Sequence, residues 1–474
     1  MKTMGEVKST MKGRAGGHRT TSRRAFLQSL AATGTGMMVW NRPGTAASVP
    51  RPNILIVLTD QERENIPRAL MHLPHRAQLE QRGIRLTHNF VTAPQCSASR
   101  ATLMTGLYPH QAGVVTNVDR TSLGRALSPS LPTLGKVFRA SGYKTAYLGK
   151  WHLTNGLGGG SNIRDDSDAL RAFGFDHYHF VSGRQLADAA ARWIAGQPSA
   201  PWLLVVSFPY LPHNMYAVVR HMQQIKIRPG VELPPNFDDN LQGKPAAQRQ
   251  FLTRDQGRPA LGWGKEEWLR YRSYYLDLIE MVDGYLGTIL EPLRRRPDAE
   301  DTVVVYSSDH GDMGGAHRLP FKGPFMYDEL LRVPLVISWP RRFPNPVASD
   351  SMVSSIDLVP TLAAMAGIEW SHPLPGKDIS LLFDHPKETV RAEVFAEYYG
   401  KQHWVNPIRT IRTVDWKYNL YVAPGREVAE ELYHLRPDPG ELHNLAGQSS
   451  FANPRADLRA RLLNWRRQTR DPLL

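Results

Sequence analysis

The chain is expected to be an α/β protein, with a large mixed, mostly parallel sheet sandwiched by helices. A smaller C-terminal α+β subdomain with a short antiparallel sheet is expected to follow. Three observations carry this expectation. The apolar runs PNILIVLTD (52–60), WLLVVSFPY (202–210), TVVVYSSDHG (302–311) and RVPLVISWP (332–340) lack in-out alternation and read as strands buried on both faces. Helical patterns separate them, as in parallel sheets covered on both sides. From residue 386 the pattern changes to short strands and turns.

The elements follow in order. PRALMHLPHRAQLEQRG (67–83) is largely helical, with Pro74 dividing it and Gly83 ending it. IRLTHNFV (84–91) alternates like a strand, and LPTLGKVFRASG (131–142) is a helix closed by Gly142, leading into the strand YKTAYLG (143–149). A long helix covers 265–296, with acids early and arginines late, as the helix dipole prefers. Another covers SSIDLVPTLAAMAGI (354–368). RTIRTVDWKYNLYV and AEELYHLRPDPGELHNLA supply the C-terminal strands and turns, and PRADLRARLLNWRRQTRDP the closing helix. Segments 154–168 and 213–262 are rich in Gly, Pro and polar residues and are expected to be long loops over the active edge.

Charge separates the first residues from the remainder. Residues 1–47 hold eight basic side chains against Glu6 alone, half of the net charge of +14 over 474 residues. The remaining charge is dispersed, which argues against a nucleic-acid partner. TSRRAFLQSLAATGTGMMVW, with Arg23 and Arg24, followed by the small-residue stretch near Ala47, resembles a twin-arginine export signal. The expected organisation is therefore a signal over 1–47, a catalytic domain over 48–385 and a C-terminal subdomain over 386–474. A twin-arginine translocase is the implied partner, and the expected location is periplasmic or extracellular. No later apolar run reaches the ~20 residues of a stable membrane span.

Open parallel sheets bind ligands at the carboxyl ends of their strands. The polar residues after these strands are Asp60-Gln61, Lys150 and His152, His213, and Asp309-His310, with His317 and Lys322 a little further on. Singly, each has a plain structural explanation, such as a helix cap or a satisfied core histidine. Jointly they point to a site. Cys96, the single cysteine, excludes disulfides and cysteine-rich zinc sites. It begins CSASRATLMTG, whose spacing is helical up to Gly106, so Cys96 falls at a helix N-terminus that favours negative charge. Arg100 lies one turn on, on the same face, where its planar fork suits an oxyanion.

These residues carry a resemblance. CSASRATLMTG is similar to the sulfatase signature, in which the cysteine of Cys-x-Pro/Ala-x-Arg becomes formylglycine. GKWH (149–152), SDHG (308–311), the run from His317 through Lys322 to RVPLVISWP, and ELYHLRPDPGELHNLA match the same family in order. The chain thus resembles the formylglycine-dependent sulfatases of the alkaline phosphatase superfamily along essentially its whole length after residue 47. The resemblance implies hydrolysis of a sulfate ester, on an aryl or carbohydrate alcohol. A formylglycine hydrate made from Cys96 by a maturation enzyme would attack sulfur, and its second hydroxyl would expel sulfate.

The resemblance also implies the roles. Asp60, Gln61, modified Cys96, Asp309 and His310 would hold one divalent metal. Calcium is the first choice on family grounds, with manganese or magnesium as alternatives. Arg100, Lys150, His213 and Lys322 would bind the sulfate, with His152 as base and His317 behind the site. Gln61 stands where many sulfatases have a second acid, and His310 where many have Asn. That combination also resembles phosphonate monoester hydrolases and phosphodiesterases, the alternative activity. An inactive secreted binding protein is the alternative of another class. Tyr398, Tyr399, His403 and Trp404 form an aromatic group that either lines the substrate pocket or packs the interior.

Overall fold

The computed structural model describes residues 51–119, 124–155, 168–197, 201–213, 215–401, 404–423 and 426–474. The twin-arginine segment, His403 and most of 154–168 lie outside the described residues. The main sheet has eight strands in the order His177–His179, Lys144–Gly149, Trp202–Pro212, Asn53–Asp60, Thr302–Ser308, Leu335–Ser338, Gly83–Leu86, Val347–Ser349. Only Leu335–Ser338 runs against its neighbours; the other pairings are parallel.

Unbroken apolar strands fit this sheet because both of its faces are covered. Along the central strand, Ile54, Ile56 and Leu58 enter one apolar layer. Leu55 and Val57 enter the other. The first layer includes Leu103 and Met104 of helix Cys96–Thr105, Phe138 of helix Leu134–Ala140, and Leu358 and Leu362 of helix Leu358–Met365. Helices Gly183–Ala195 and Lys265–Arg294 form the second through Leu186, Ala190, Leu278, Val282 and Leu286.

The C-terminal sheet is antiparallel, with strands Glu393–Lys401, Trp404–Thr413, Trp416–Ala423 and Arg426–His434 in sequence order. Helix Ala452–Thr469 packs on it through Leu458, Leu462 and Trp465. Two expectations change. IRLTHNFV is two strands: Gly83–Leu86 pairs in the main sheet, whereas Asn89–Phe90 pairs with Val353–Ser354 in a separate two-stranded sheet. The segment 213–262 contains helices Met215–His221 and Ala246–Arg254. The second is held by tertiary contacts its sequence does not advertise. Phe251 meets Phe325 edge-on, and Gln248 bonds to Tyr327, Tyr421 and Glu431. Pro74 opens helix Pro74–Gln81, the position at which its missing N–H costs nothing.

The chain's end is fixed by a buried carboxylate. Asp471 accepts bonds from Arg409 Nε and Nη2 and from Arg466 Nε, each at 2.8 Å. Burial alone would raise its pKa, but these partners, Arg409 foremost, hold it below the ordinary 3.8. The folded form therefore binds a proton less readily than the unfolded chain, so this stabilisation is complete above pH 4 and fades as pH falls. We expect Asp471→Asn to cost about 3 kcal/mol, because it leaves the buried Arg466 without an anion and Arg409 with Glu397 alone, 3.6 Å away. Urea unfolding at neutral and acid pH should show the difference narrowing on acidification.

Candidate active site

Parallel register brings the polar residues together. Thr59 pairs with Ser308, so Asp60 and Asp309 leave adjacent strands side by side. Asp60 also pairs with Pro212, which precedes His213. Gly149 pairs with Ser207, which sets Lys150 at the same sheet edge. Gly149 has φ +92°, and a side chain there would collide with the Ser207 carbonyl, so only glycine allows this strand exit.

Cys96 is the first residue of its helix and is buried. Lys322 Nζ lies 2.9 Å from its sulfur, and His310 Nε2 lies 3.3 Å away. His152 lies close enough to the thiol for the two to interact electrostatically. Ser97 Oγ donates to the His152 carbonyl at 2.6 Å, fixing that loop to the same helix. One turn along, Arg100 Nε donates to Asp309 Oδ2 at 2.9 Å, and Nη1 to the Lys150 carbonyl at 2.9 Å. Nη1 also meets Ser207 Oγ at 2.5 Å. Arg100 Nη2 is buried and has no partner among the described residues, which leaves a donor for an anionic ligand. Lys150 Nζ donates to Asp60 Oδ2 at 2.8 Å.

The charges are mutually dependent. Burial would raise the Cys96 thiol, yet Lys150, Lys322 and His310 outweigh it and hold the thiol well below its ordinary range. Burial likewise works against ionised Asp60, and Lys150 overrides it. Burial and the neighbouring Lys322 push His213 down to about 3, so its imidazole is neutral at pH 7. His152 is lowered by burial and then by Lys150. The site therefore combines fixed cations with neutral imidazoles able to exchange protons.

Residues 52–368 match the Sulfatase family model. The chain belongs to the sulfatase family. Residues 315–468 also match N-sulphoglucosamine sulphohydrolase, C-terminal. The uncharacterized sulfatase YidJ of Escherichia coli K12 is 31% identical, over 89% of this chain and 88% of that protein. The Delta 4,5-hexuronate-2-O-sulfatase of Bacteroides thetaiotaomicron is 28% identical, over 90% and 92%. Among solved structures, a 2-O GAG sulfatase superimposes with TM-score 0.75 at 24% identity, covering 89% of this chain and 93% of that one. The phosphonate monoester hydrolase of Agrobacterium radiobacter gives 0.69 at 24% identity, covering 88% and 96%. As a sulfatase, this protein is a sulfuric ester hydrolase.

The residues fit a metal. Ligand atoms of Asp60, Cys96, Asp309 and His310 all lie within 4.8 Å of one another, and all four residues are buried. His310 Nδ1 is bonded to the Gly311 carbonyl at 2.9 Å, which leaves Nε2 as the ligating nitrogen. Gln61 Oε1 is buried without a hydrogen-bond partner among the described residues, as an amide oxygen kept for a cation would be. Its amide nitrogen is spoken for: Gln61 Nε2 donates to Asp312 Oδ2 at 2.5 Å. Asp312 Oδ1 in turn accepts from Tyr271 OH at 2.5 Å and from Gly314 N at 2.7 Å.

His213 follows its strand as expected and contacts Phe321, next to Lys322, ring edge to face. His317 is engaged elsewhere. Its Nδ1 meets Asp239 at 2.6 Å and Lys244 at 3.2 Å, its Nε2 meets Asn236 at 3.1 Å, and it stacks on Tyr327. The ring thus joins the 236–244 segment to Tyr327. Tyr398 is buried among Ile408, Tyr421 and Val394, so its ring packs the interior.

Asp312 fixes which way the Gln61 amide faces. Asp312→Asn would oppose an NH2 to Gln61 Nε2 and turn the amide over, presenting nitrogen where Oε1 now sits. We expect divalent-metal affinity to fall about 10- to 100-fold, read by calorimetric titration, with the circular dichroism spectrum unchanged.

Proposed function

We propose that this sulfatase removes sulfate from a carbohydrate, using a formylglycine made from Cys96 and one divalent cation. The observation that carries the reading is the buried meeting of Asp60, Cys96, Asp309 and His310 with Arg100, Lys150 and Lys322 at one sheet edge. The sugar half of the proposal draws on the hexuronate-sulfatase relative, which aligns along nearly the whole chain.

A formylglycine hydrate supplies two hydroxyls on one carbon, one to displace the alcohol from sulfur and one whose deprotonation releases sulfate. A cation held by Asp60, Gln61, Asp309 and His310 supplies Lewis-acid polarisation of the ester oxygens. This hard donor set favours calcium, and the His310 nitrogen also suits manganese. An oxygen function at position 96 agrees with it better than a soft thiolate does.

The chain's own side chains do the remainder. Arg100, anchored on Asp309, keeps its free Nη2 for a sulfate oxygen. Lys150 holds Asp60 ionised and adds positive charge beside the nucleophile. His152, neutral and close to position 96, is placed to take a hydroxyl proton. Lys322 and His213 are the donors for the leaving oxygen, where negative charge develops.

Turnover of a sulfated hexuronate disaccharide, choline sulfate, an aryl sulfate and phenyl phosphonate should be compared under identical metal loading. Fastest release from the disaccharide is expected. Preferential cleavage of phenyl phosphonate would instead favour the activity suggested by the Gln61 and His310 pair. Cys96→Ala should lower kcat about a thousandfold or more, and peptide mass spectrometry should find an aldehyde at position 96 in native protein. Retained activity in that variant would exclude the nucleophile. Residues 1–47 are proposed to direct twin-arginine export, so changing Arg23 and Arg24 together to lysine should strand the protein in the cytoplasm.

A further inference from the structure

The hairpin of Glu393–Lys401 and Trp404–Thr413 is tied directly to the nucleophile's helix. The Gly400 carbonyl accepts from Gln95 Nε2 at 2.9 Å and from Thr116 Oγ1 at 2.6 Å. Gln95 immediately precedes Cys96. Glycine is required at 400, since a Cβ there would come within 2.6 Å of the Trp404 carbonyl oxygen and 2.9 Å of Val405 Cα. The next residue, Lys401, directs its ammonium to Asp255 Oδ1 at 2.8 Å. It lies close enough to Lys322 and Cys96 for their charges to act on it.

Lys401 and Asp255 are largely enclosed, with 14% and 11% of their side chains exposed. The pair is nevertheless incompletely used. Among the described residues, the buried Asp255 Oδ2 has no hydrogen-bond partner, and the same holds for the neighbouring Gln256 Oε1 and for Gln95 Oε1. Lysine has three N–H donors, and Asp255 occupies one. A donor and an acceptor thus stand side by side at the end of the hairpin that Gly400 ties to the nucleophile's helix, in an ion pair without net charge. A carboxylate ligand would meet the free Asp255 oxygen as a like charge. Adjacent hydroxyls can accept from Lys401 and donate to Asp255 together.

We propose that Lys401 and Asp255 are a specificity-determining pair that reads neighbouring hydroxyls on the sugar ring bearing the sulfate. This rests on the carbohydrate reading above and adds to it: the pair recognises the alcohol half, whereas Arg100, Lys150, His213 and Lys322 handle the sulfate half. Sites that hydrogen-bond a substrate hydroxyl reject the analogue lacking it strongly, because their polar groups are then left unpaired.

The test measures kcat/KM of wild type, Lys401→Met and Asp255→Asn on a sulfated monosaccharide and on para-nitrophenyl sulfate, with melting temperatures alongside. Each variant should lose about a hundredfold on the sugar and less than about threefold on the aryl ester, which has no hydroxyls to read. Equal losses on both substrates would overturn the proposal and make the pair a support for the nucleophile. Wild type is also assayed on deoxy analogues lacking a hydroxyl beside the ester, a measurement that stands even if a variant does not fold. A loss of about a hundredfold is expected, and undiminished turnover of the deoxy sugars would overturn the pair's role. Wild type that cleaves para-nitrophenyl sulfate but no sulfated sugar would instead refute the carbohydrate reading itself.

Discussion

Two buried ion pairs, Arg100 with Asp309 and Lys150 with Asp60, whose acids leave neighbouring strands, are the constraint on which the site depends. A carboxylate with no exposure to water is not expected to remain ionised unless a cation stands against it. Lys150 is the cation that overrides the effect of burial on Asp60. Without the acids, two buried cations would be left uncompensated, a loss of about 3–5 kcal/mol for each broken pair. The pairs also fix geometry. Arg100 reaches Asp309, the Lys150 carbonyl and Ser207, so one guanidinium ties a helix to three strands.

Those contacts meet because the strands run parallel. In the order Lys144–Gly149, Trp202–Pro212, Asn53–Asp60, Thr302–Ser308, every carboxyl end opens on one edge, and each strand delivers its next residue there. The sheet thereby assembles a charge cluster from positions up to about 250 residues apart with no long side-chain reach. The C-terminal sheet has the complementary task. Lys417, paired with Asp328 and Glu441, and Arg412, paired with Asp328, fasten it beside the segment that carries Lys322. Gly400 fastens it to the residue before Cys96. Recognition of the alcohol can then be rigid even though its residues come from separate layers.

How much of this the sequence disclosed follows from the range of each signal. Uninterrupted apolar runs marked the strands, and the residue after each run marked the sheet edge, so Asp60, Lys150, His213 and Asp309 were legible from pattern alone. Cys96 and Arg100 were legible because one helical turn separates them. His317 was expected near the site from its nearness to His310 and Lys322 along the chain. Left-handed backbone at Gly314, Gly315, His317 and Arg318 turns the chain instead, and the ring meets Asp239 and Asn236. Asp312 stands two residues after His310, yet nothing in DHGD says that its carboxylate holds the Gln61 amide. Lys401 and Asp255 lie 146 positions apart, and no periodicity links them. Contacts that depend on how layers dock leave no local trace in a sequence.

The local conformations at the sheet edge bear on the same division between fold and function. Gln61 (φ 74°), Tyr210 (φ 62°) and His152 (φ 58°) all have left-handed backbone, which is unfavourable for residues with a Cβ. Each costs on the order of 1–3 kcal/mol, a serious fraction of the roughly 5–15 kcal/mol by which a domain is stable. Each is also held by a specific bond: Gln61 N donates to Asp309 Oδ1, Tyr210 N to Asp60 Oδ2, and the His152 carbonyl accepts from Ser97. The same carboxylates that face the metal position thus hold two of the strained turns, those at Gln61 and Tyr210. Turning these residues to relaxed extended backbone would redirect their side chains and remove two donors from Asp60 and Asp309. Strain here is the means by which chain ends that would otherwise diverge are made to converge on one buried point.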